Sequence, residues 1–374
     1  WPDAVSFPFF ENLLPEGRVR QLLANRLQTA NNNFSRLLRE TGGEVAGAIS
    51  IVPHDHVLNR SNTPNALTPA LSERELGVVL KQIETQPFLQ GNNTGMRLSL
   101  AGAQNKLPVV IDAQNGIHLP DNQTSTHIIK PPSAYFPWLV ENEFFCMRAA
   151  ARAGLNVPRV KLQNFIMADG RQQDCYVIER YDRITNHGKT LRLHQEDMCQ
   201  VLSVPSPQKY VLDGGPSFAQ VFAMLRKHSR PPAIHQQELI RRILFNMLIG
   251  NQDAHGKNFA LLHQTNSIVL APAYDIVSTL VYPELQERFA MPIGQAWRVT
   301  ELDKSALDEF QTETKINLRR QSRMLRQFLG RAVNAIEEES SAVKHELCVL
   351  SDPCIDQIVG IAQRHAGLID RWLA

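Results

Sequence analysis

In the segment "LIGNQDAHGKNFALL", Asp253, His255 and Asn258 stand close together shortly after an apolar stretch. A fourth, Asp275, follows in "PAYDI". One carboxylate can orient or deprotonate a hydroxyl group. An amide oxygen and a second carboxylate are suitable ligands for magnesium beside the phosphates of a nucleotide. Asp, Asn and Asp in this order are the smallest set of side chains that a protein-kinase-like phosphotransferase needs to activate a hydroxyl group and bind magnesium.

The same residues also fit a plain structural role. Asn251 and Asp253 are typical of a loop that caps the end of a helix, and an Asp, Asn, Asp order can arise by chance. The tripeptide around Asp275 is Tyr-Asp-Ile, so the glycine of the common Asp-Phe-Gly motif is absent. On these residues alone, both interpretations stay open.

Lys130 closes the apolar segment "THIIK". A lysine at a strand end is usually solvated, but an ammonium here could also bind the α- and β-phosphates of a nucleotide. It would then need a carboxylate to hold it. Glu143 shares a helical stripe with Val140, Phe144 and Met147, where a glutamate is costly to bury unless it is paired. We therefore expect a Lys130–Glu143 ion pair.

Two further segments are weaker signals. "SLAGAQNK", from Ser99 to Lys106, has residues small enough for backbone N–H groups to approach phosphate, although an ordinary hairpin turn explains it equally well. "VIERYDR", from 177 to 183, ends the last predicted strand of the β-rich half. Kinases bind adenine through the backbone of such a strand, whereas the sequence alone indicates only a linker.

Composition narrows the class of protein. The chain has 374 residues, which suits two lobes of ordinary domain size, and 43% hydrophobic with 20% charged residues is typical of a soluble globular protein. The five cysteines contain no C-x-x-C pair, which disfavours a disulfide framework or a zinc site and favours a reducing cytoplasm. No apolar run predicts a membrane span and no signal peptide is recognisable.

Hydrophobic periodicity predicts the elements that position these residues. We expect a helix pair around Pro15, a strand over 45–52, a helix over 72–85, and strands at "MRLSL", "KLPVVID", "THIIK", "RVKLQNFIMA" and "DCYVIERYD" with one helix inserted over 137–153. Helices are predicted at "QEDMCQVL", "SFAQVFAMLRKH" and "HQQELIRRILFNMLIGN", then near 305–336 and 355–373. A hairpin strand is predicted just before Asp275.

A β-rich half followed by an α-rich half indicates an α+β, two-lobed fold. The expected boundaries are a remnant of an N-terminal subdomain over 1–55, a β-rich N-lobe over 56–181 and an all-α C-lobe over 182–374. Net charge is +2, so the overall balance does not predict nucleic-acid binding. The arginine-rich stretch 319–331 is typical of a solvated helix face, with an acidic or nucleic-acid partner as the alternative.

Ten segments together resemble one family. They are "FFENLLPEG", "SLAGAQNK", "THIIKPP", "ENEFF", "GLNVP", "ERYDR", "QEDMCQ", "KYVLDGGP", "NQDAHGKNF" and "YDI". In order along the chain, they resemble the HipA toxins, bacterial serine/threonine kinases of type II toxin–antitoxin operons. The resemblance implies a two-lobed kinase fold related to phosphoinositide kinases, with ATP and Mg²⁺ as cofactors.

The resemblance also assigns roles. It implies that Asp253 is the catalytic base, Asn258 and Asp275 are magnesium ligands, and Ser99 is autophosphorylated. Glu143 is expected to form the ion pair that holds Lys130. The implied ATP-binding residues are Leu100, Ala101, Gly102, Ala103, Gln104, Asn105, Lys106, Lys130, Glu179, Arg180, Tyr181, His255, Lys257 and Tyr274. A phosphate on Ser99 would displace the phosphate-binding loop, because its charge competes with the phosphates of ATP.

Two departures from the family pattern are visible. Asn105 stands where the family loop usually has glutamate. The segment that family members carry before "FFENLLP" is expected to be missing, which would alter antitoxin contacts or require a separate small protein to supply them. Catalysis itself should not need that segment.

The resemblance implies a cytoplasmic, growth-arresting toxin. Its implied partners are a HipB-like DNA-binding antitoxin and, through that complex, operator DNA. No membrane partner is implied. The expected substrate is an aminoacyl-tRNA synthetase, with the glutamyl enzyme as the best choice. Two alternatives share some of these features. A small-molecule phosphotransferase of the aminoglycoside-kinase type uses Asp, Asn and Asp side chains in the same order. A non-catalytic corepressor bound to its antitoxin would not need those side chains intact.

Overall fold

The computed structural model describes residues 3–52, 68–85, 104–120, 123–186, 189–347 and 352–374. The predicted strand "MRLSL" and the predicted site residues Ser99, Leu100, Ala101, Gly102 and Ala103 lie outside these ranges. The chain forms two compact units. The first contains residues 1–134 and 159–195, and the second contains residues 135–158 and 196–374.

Three short helices begin the first unit: α1 (Asp3–Glu11), α2 (Gly17–Arg26) and α3 (Phe34–Thr41). The helix pair predicted around Pro15 is therefore present. Their apolar faces close over one cluster of buried side chains, which includes Leu14, Leu23 and Leu37. This cluster gives the N-terminal segment a hydrophobic core of its own.

The strand predicted over 45–52 is wrong, because these residues form irregular loop. The backbone groups that a strand would use are bonded to side chains instead. The carbonyl of Val45 accepts from Arg180 at 3.1 Å, and the N–H of Gly47 donates to Asp182 at 2.8 Å. Alternating valine and isoleucine predicted the strand from local pattern, and this long-range polar bonding overrode it.

The centre of the first unit is a five-stranded antiparallel sheet with strand order β2-β1-β3-β5-β4. Its strands are β1 (Leu107–Ile111), β2 (Ile117–His118), β3 (His127–Lys130), β4 (Val160–Ile166) and β5 (Gln172–Glu179). In register, Leu107 faces Ile129, which faces Val177. A hairpin of β6 (Arg183–Asn186) and β7 (Lys189–Arg192) follows.

Helix α4 (Glu73–Thr85) covers one face of this sheet. Ser72 caps it, since its hydroxyl accepts from the N–H of Glu75 at 3.3 Å and the Glu75 carboxylate accepts from the N–H of Ser72 at 2.8 Å. Leu76, Leu80 and Ile83 on α4 are buried with the strand residues in a second cluster. The helix and its cap match the sequence prediction.

The second unit is mainly helical. Its first elements are α5 (Leu139–Arg152), α6 (Met198–Val201), α7 (Phe218–His228) and α8 (Pro232–Ile249). Helix α5 ends before Gly154, whose φ is +90°, as the sequence predicted. The helix predicted at "QEDMCQVL" is shorter than expected, because residues up to Asp197 form β8 (His194–Asp197). Asp197 then caps α6 with a capping box to Gln200.

A hairpin of β9 (Ala260–Gln264) and β10 (Ser267–Leu270) follows α8 and joins β8 in a three-stranded sheet. The predicted all-α description of the C-lobe is therefore too strict. The hairpin strand predicted to end at Tyr274 and Asp275 is the second strand of this hairpin, but it ends earlier, at Leu270.

The chain ends with α9 (Lys304–Thr314), α10 (Leu318–Glu346) and α11 (Pro353–Trp372). The helix predicted near 305–336 is thus two helices. The break has a local cause: Lys315 has φ +56°, and the Asn317 side chain caps α10 by accepting from the N–H of Arg320 at 2.9 Å. No helix among the described residues is both long enough and apolar enough to cross a bilayer.

Candidate phosphotransfer site

The loop after α8 begins where the buried part of that helix stops. Residues Leu239 to Ile249 of α8 are mostly buried, and Gly250 ends the helix with φ +72°, a conformation that glycine adopts without strain. A Cβ at Gly250 would lie 2.7 Å from Leu280 Cδ1, so packing also requires glycine here. The polar residues that follow are therefore anchored to a rigid core.

Backbone hydrogen bonds fix the loop itself. The N–H of Asp253 donates to Asn251 Oδ1 at 3.0 Å, and Asn251 Nδ2 donates to Asn246 Oδ1 at 3.0 Å. The N–H of Gln252 donates to Thr279 Oγ1 at 2.8 Å. The capping role predicted for Asn251 is thus present. It positions Asp253 and leaves the Asp253 carboxylate for other contacts.

Asp253 has a reachable carboxylate. Its side chain is 49% exposed. The Tyr210 hydroxyl donates to Asp253 Oδ1 at 2.7 Å, and His255 Nε2 lies 4.0 Å from Asp253 Oδ2. A carboxylate that is held on one oxygen and open on the other can accept a proton from an incoming hydroxyl.

Asn258 lies one turn further on, at the end of the 3₁₀ helix Gly256–Asn258. Its Oδ1 accepts from the N–H of His255 at 3.1 Å, which fixes the orientation of the amide. A carbonyl-type oxygen has two lone pairs, so one remains for a cation. The side chains of His255 and Lys257 in the same turn are buried.

Asp275 reaches the same end of the hairpin as Asn258. Because β9 and β10 are antiparallel, the residues before β9 and after β10 emerge together, and the N–H of Ala271 donates to the carbonyl of Ala260 at 2.9 Å. The Tyr274 hydroxyl donates to the carbonyl of Lys257 at 2.6 Å. These two bonds tie the backbone on either side of Asn258 to the segment that carries Asp275.

Asp275 has an unusual backbone, with φ +51°. The left-handed region is uncommon for residues other than glycine, although aspartate tolerates it better than most. Strained backbone of this kind is found preferentially at functional sites. The conformation aims the Asp275 side chain differently from a continuing strand.

Lys257 is the buried cation of this loop. Its Nζ lies 3.6 Å from Asp197 Oδ2, and Asp197 Oδ1 accepts from the N–H of Gln200 at 2.9 Å. Asp197 therefore links the cap of α6 to the loop of Asp253. No pattern in the sequence pointed to this role of Asp197, which lies in the segment "QEDMCQ".

Lys130 and Glu143 lie in different units. Lys130 ends β3 and is 3% exposed, and its Nζ lies 5.5 Å from the centroid of the Tyr176 ring. Glu143 is in α5 and is also 3% exposed, as its place on the apolar stripe predicted. Both charges are buried, which is unfavourable for each alone. Their mutual pairing stays a prediction.

The predicted hinge, Glu179 to Tyr181, leaves the central sheet next to a buried ion cluster. The N–H groups of Glu179 and Arg180 donate to the carbonyls of Arg159 and Thr126, so these two donors are engaged within the first unit. The Arg180 guanidinium bonds to Asp182 and to Glu44 at 2.8 Å each. The Arg180 side chain therefore belongs to the buried ion cluster of the first unit.

Charge and burial act against each other in this cluster. Burial, and then the positive charge of Arg180, lowers the pKa of Arg183 to about 10. Burial alone would raise the pKa of the Asp182 carboxyl, but the charge and hydrogen bonds of Arg180 outweigh it and keep that pKa below its usual value. At neutral pH Arg183 and Asp182 are therefore ionised.

The remaining predicted ATP contacts, Gln104, Asn105 and Lys106, precede β1 and are partly buried. The structure thus brings Asp253, His255, Lys257, Asn258 and Tyr274 together in one unit. Sequence reasoning missed Tyr210, which bonds to Asp253, and the only signal for it was the segment "KYVLDGGP".

The oxygen ligands that Asn258 and Asp275 offer also fit Mg²⁺, the predicted cation. Asn258 and Asp275 supply an amide and a carboxylate oxygen, which are hard ligands. Magnesium usually takes one or two such protein ligands and completes its octahedron with water and substrate phosphates. Two protein oxygens at one end of the hairpin meet that requirement.

Comparison with known proteins identifies relatives over nearly the whole chain. Residues 98–338 match the HipA-like C-terminal domain family, and residues 1–52 match the HipA N-terminal domain family. The chain is 39% identical over 352 residues to "Putative kinase Y4mE" of Sinorhizobium fredii, covering 93% of this chain and 80% of that protein. It is 29% identical to "Serine/threonine-protein kinase toxin HipA" of Shewanella oneidensis, covering 97% and 84%.

A solved structure gives the same result. The chain superposes on HipA of Shewanella oneidensis, in a complex with HipB and operator DNA, with a TM-score of 0.72 and 26% identity over 99% of this chain and 85% of that one. This likeness confirms the predicted two-lobed, kinase-like α+β fold. Because the C-terminal family covers well over half of the sequence, the chain belongs to the HipA family and is a protein kinase.

Proposed function

We propose that this protein is an ATP- and Mg²⁺-dependent serine/threonine kinase that acts as the growth-arresting toxin of a toxin–antitoxin pair. The observation that carries the proposal is the Asp253 carboxylate, which is half exposed beyond the end of α8 and accepts the Tyr210 hydroxyl at Oδ1. Asn258 and Asp275 emerge at one end of the neighbouring hairpin. That arrangement supports phosphoryl transfer to a hydroxyl group.

The proposed step begins at Asp253 Oδ2, the oxygen that Tyr210 does not occupy. It accepts the proton of the substrate hydroxyl as the hydroxyl oxygen forms a bond to the γ-phosphorus of ATP. The bond from that phosphorus to its bridging oxygen breaks, and ADP leaves. Asn258 and Asp275 would hold Mg²⁺, which neutralises charge on the phosphates when bound.

The other site residues would bind and orient ATP. Lys130, held by Glu143, would contact the α- and β-phosphates, and the loop from Leu100 to Lys106 would surround them with backbone N–H groups. The adenine would lie against Glu179 to Tyr181. His255, Lys257 and Tyr274 would form the floor beneath the transferred group, consistent with their burial or partial burial.

The structural relative supports the proposed partners. The structurally similar HipA is found with HipB and its operator DNA, which supports a HipB-like antitoxin and DNA contact through that complex for this protein. We further propose a cytoplasmic aminoacyl-tRNA synthetase, the glutamyl enzyme first, as substrate, and autophosphorylation at Ser99.

The test is substitution of the proposed base. Asp253→Asn keeps the shape of the side chain and the contact with Tyr210, but removes the proton acceptor. We expect transfer of labelled phosphate from ATP to protein to fall by about 10²- to 10⁴-fold. Asp213→Asn, on an exposed stretch close in sequence to Tyr210, is the matched control and should keep wild-type activity. Undiminished transfer by Asp253→Asn would reject Asp253 as the base.

A second experiment tests the substrate class. Wild-type protein is incubated with labelled ATP and either purified glutamyl-tRNA synthetase or other purified aminoacyl-tRNA synthetases. Labelling of the glutamyl enzyme alone supports the first choice, and labelling of another synthetase replaces it. Mass spectrometry of the kinase after expression with and without a phosphatase would locate a phosphate on Ser99.

A further inference from the structure

Tyr210 is the side chain that contacts the Asp253 carboxylate most closely among the described contacts. It lies between two 3₁₀ turns, Ser206–Gln208 and Val211–Asp213. Its hydroxyl donates to Asp253 Oδ1 at 2.7 Å, a distance typical of a charge-assisted O–H···O⁻ hydrogen bond. The two residues are 43 positions apart, so the contact is a product of the fold.

The backbone around Tyr210 is held in place from three directions. The N–H of Val211 donates to the carbonyl of Ala290 at 3.2 Å, and the N–H of Gly256 donates to the carbonyl of Lys209 at 3.4 Å. The N–H of Gly215 donates to the carbonyl of Tyr210 itself at 2.8 Å. The bond from Gly256 is notable, because Gly256 belongs to the same loop as Asp253.

The ring of Tyr210 is also constrained. It meets the His255 ring edge-on, with centroids 5.3 Å apart and an interplanar angle of 83°. The Lys209 ammonium lies 5.3 Å from the centroid of the Tyr210 ring. Edge-to-face aromatic contacts restrict ring orientation. The phenol is therefore presented to Asp253 in a defined direction.

The two oxygens of the Asp253 carboxylate are made unequal by this contact. Oδ1 receives the phenol, whereas Oδ2 lies 4.0 Å from His255 Nε2 and is not within hydrogen-bond distance of it. A carboxylate that is 49% exposed would otherwise sample several rotamers. A fixed Oδ1 determines where Oδ2 points.

We propose that Tyr210 is a positioning residue of the phosphotransfer site, which orients Asp253 so that Oδ2 faces the acceptor hydroxyl. The inference rests on the proposed role of Asp253 as the base. Tyr210 acts through Asp253 and does not itself take up the substrate proton. Because its hydroxyl bonds to the base, removing that hydroxyl while keeping the ring should affect turnover and leave nucleotide binding unchanged.

A purely structural role of the Tyr210 hydroxyl would instead affect the thermal midpoint and not kcat. The Tyr210–Asp253 bond is solvent-exposed, and exposed hydrogen bonds contribute little to the stability of the fold. A misplacement of a reacting group by about 1 Å, in contrast, can lower a rate by about 100-fold. The hydroxyl of Tyr210 should therefore matter far more for kcat than for the thermal midpoint.

The test compares Tyr210→Phe with the wild type in transfer of labelled phosphate from ATP to a protein acceptor. We expect kcat to fall by about 10- to 100-fold, with the KM for ATP and the thermal midpoint unchanged. Tyr135→Phe, which removes a phenol from a 63% exposed ring, is the matched control and should behave as wild type. Tyr210→Ala, which also removes the ring, should lower kcat at least as much.

The outcomes separate this inference from the proposed function. If Asp253→Asn is inactive but Tyr210→Phe turns over at the wild-type rate, the positioning role is rejected and the function stands. A rise in the KM for ATP without a change in kcat would also reject it, because Tyr210 would then serve nucleotide binding. If the wild type transfers no phosphate to protein, the proposed function fails and the inference fails with it.

Discussion

At the scale of single residues, the burial of one histidine makes the stability of the fold sensitive to acid. His127 lies in β3, and its Nδ1 is 2.8 Å from Thr126 Oγ1. Burial, and then the charge of Lys161 on β4, lowers the pKa of His127 to about 4. On β5, Glu179 faces His127 in register, but its side chain is 45% exposed.

This lowered pKa predicts a loss of stability in mild acid. The unfolded chain binds a proton at His127 near pH 6.5, whereas the folded chain does so only near pH 4, so the free energy of unfolding falls as pH drops from about 6.5 to about 4. Because the imidazole is only partly buried, we expect a change of about 1 kcal/mol. Denaturant unfolding of wild type and His127→Gln at pH 7.5, 6 and 4.5 measures it.

His345→Gln, at an exposed site in α10, is the control for that series and should keep the wild-type pH dependence. The difference between wild type and His127→Gln should shrink towards pH 4.5. An equal difference at all three pH values would show that His127 does not titrate in this range.

At the scale of elements, one glycine sets the path of the site loop. Gly256 lies between His255 and Lys257, and a Cβ there would be 2.6 Å from Pro216 Cγ and 3.1 Å from Cys199 Sγ. A proline ring cannot move aside as a flexible side chain would. Any residue larger than glycine must therefore displace the loop that carries Asn258.

Gly256→Ala should consequently lower phosphate transfer by about 10-fold or more, because the loop residues shift by several tenths of an ångström. Overpacking should also destabilise the fold by about 1–3 kcal/mol. Gly330→Ala is the control, since a Cβ there meets nothing within 4 Å, and replacing glycine in a helix should stabilise the protein by about 0.5–1 kcal/mol. Wild-type transfer by Gly256→Ala would show that the loop tolerates the displacement.

The elements themselves were predictable wherever a periodic segment had clear boundaries. The stripe of α8 and the Ser72 cap of α4 are examples, since both depend on residues close in sequence. The strand predicted over 45–52 failed because its polar partners, Arg180 and Asp182, lie more than 130 residues away. Local periodicity contains no information about such partners.

The site residues also divide into those with a recognisable local sequence pattern and those whose partners are distant in sequence. Asp253, Asn258 and Asp275 could be proposed from residue type and order, because each follows a recognisable helix or hairpin. Tyr210 could not, since a tyrosine in a loop has no pattern that points to a carboxylate 43 positions later. The left-handed backbone of Asp275 was likewise invisible in the sequence.

At the scale of the whole molecule, residues 44–47 are joined to residues far along the chain by a buried ion cluster. Glu44 bonds to Arg180, Arg183 and Arg192, and also accepts from the hydroxyl of Ser125 at 2.7 Å. The N-terminal segment is therefore part of the first unit. The boundary at residue 55 stays a prediction, and no sequence pattern connects Glu44 to "ERYDR".

Removing the charge of Glu44 tests this connection. Arg180 and Arg183 would then share the single carboxylate of Asp182, and an unpaired buried charge typically costs about 3–5 kcal/mol. Glu44→Gln should lower the free energy of unfolding by about 3 kcal/mol in urea titration. Asp308→Asn, which breaks an exposed pair with Arg319, should cost less than about 1 kcal/mol. Equal losses in the two variants would mean that the cluster does not anchor the N-terminal segment.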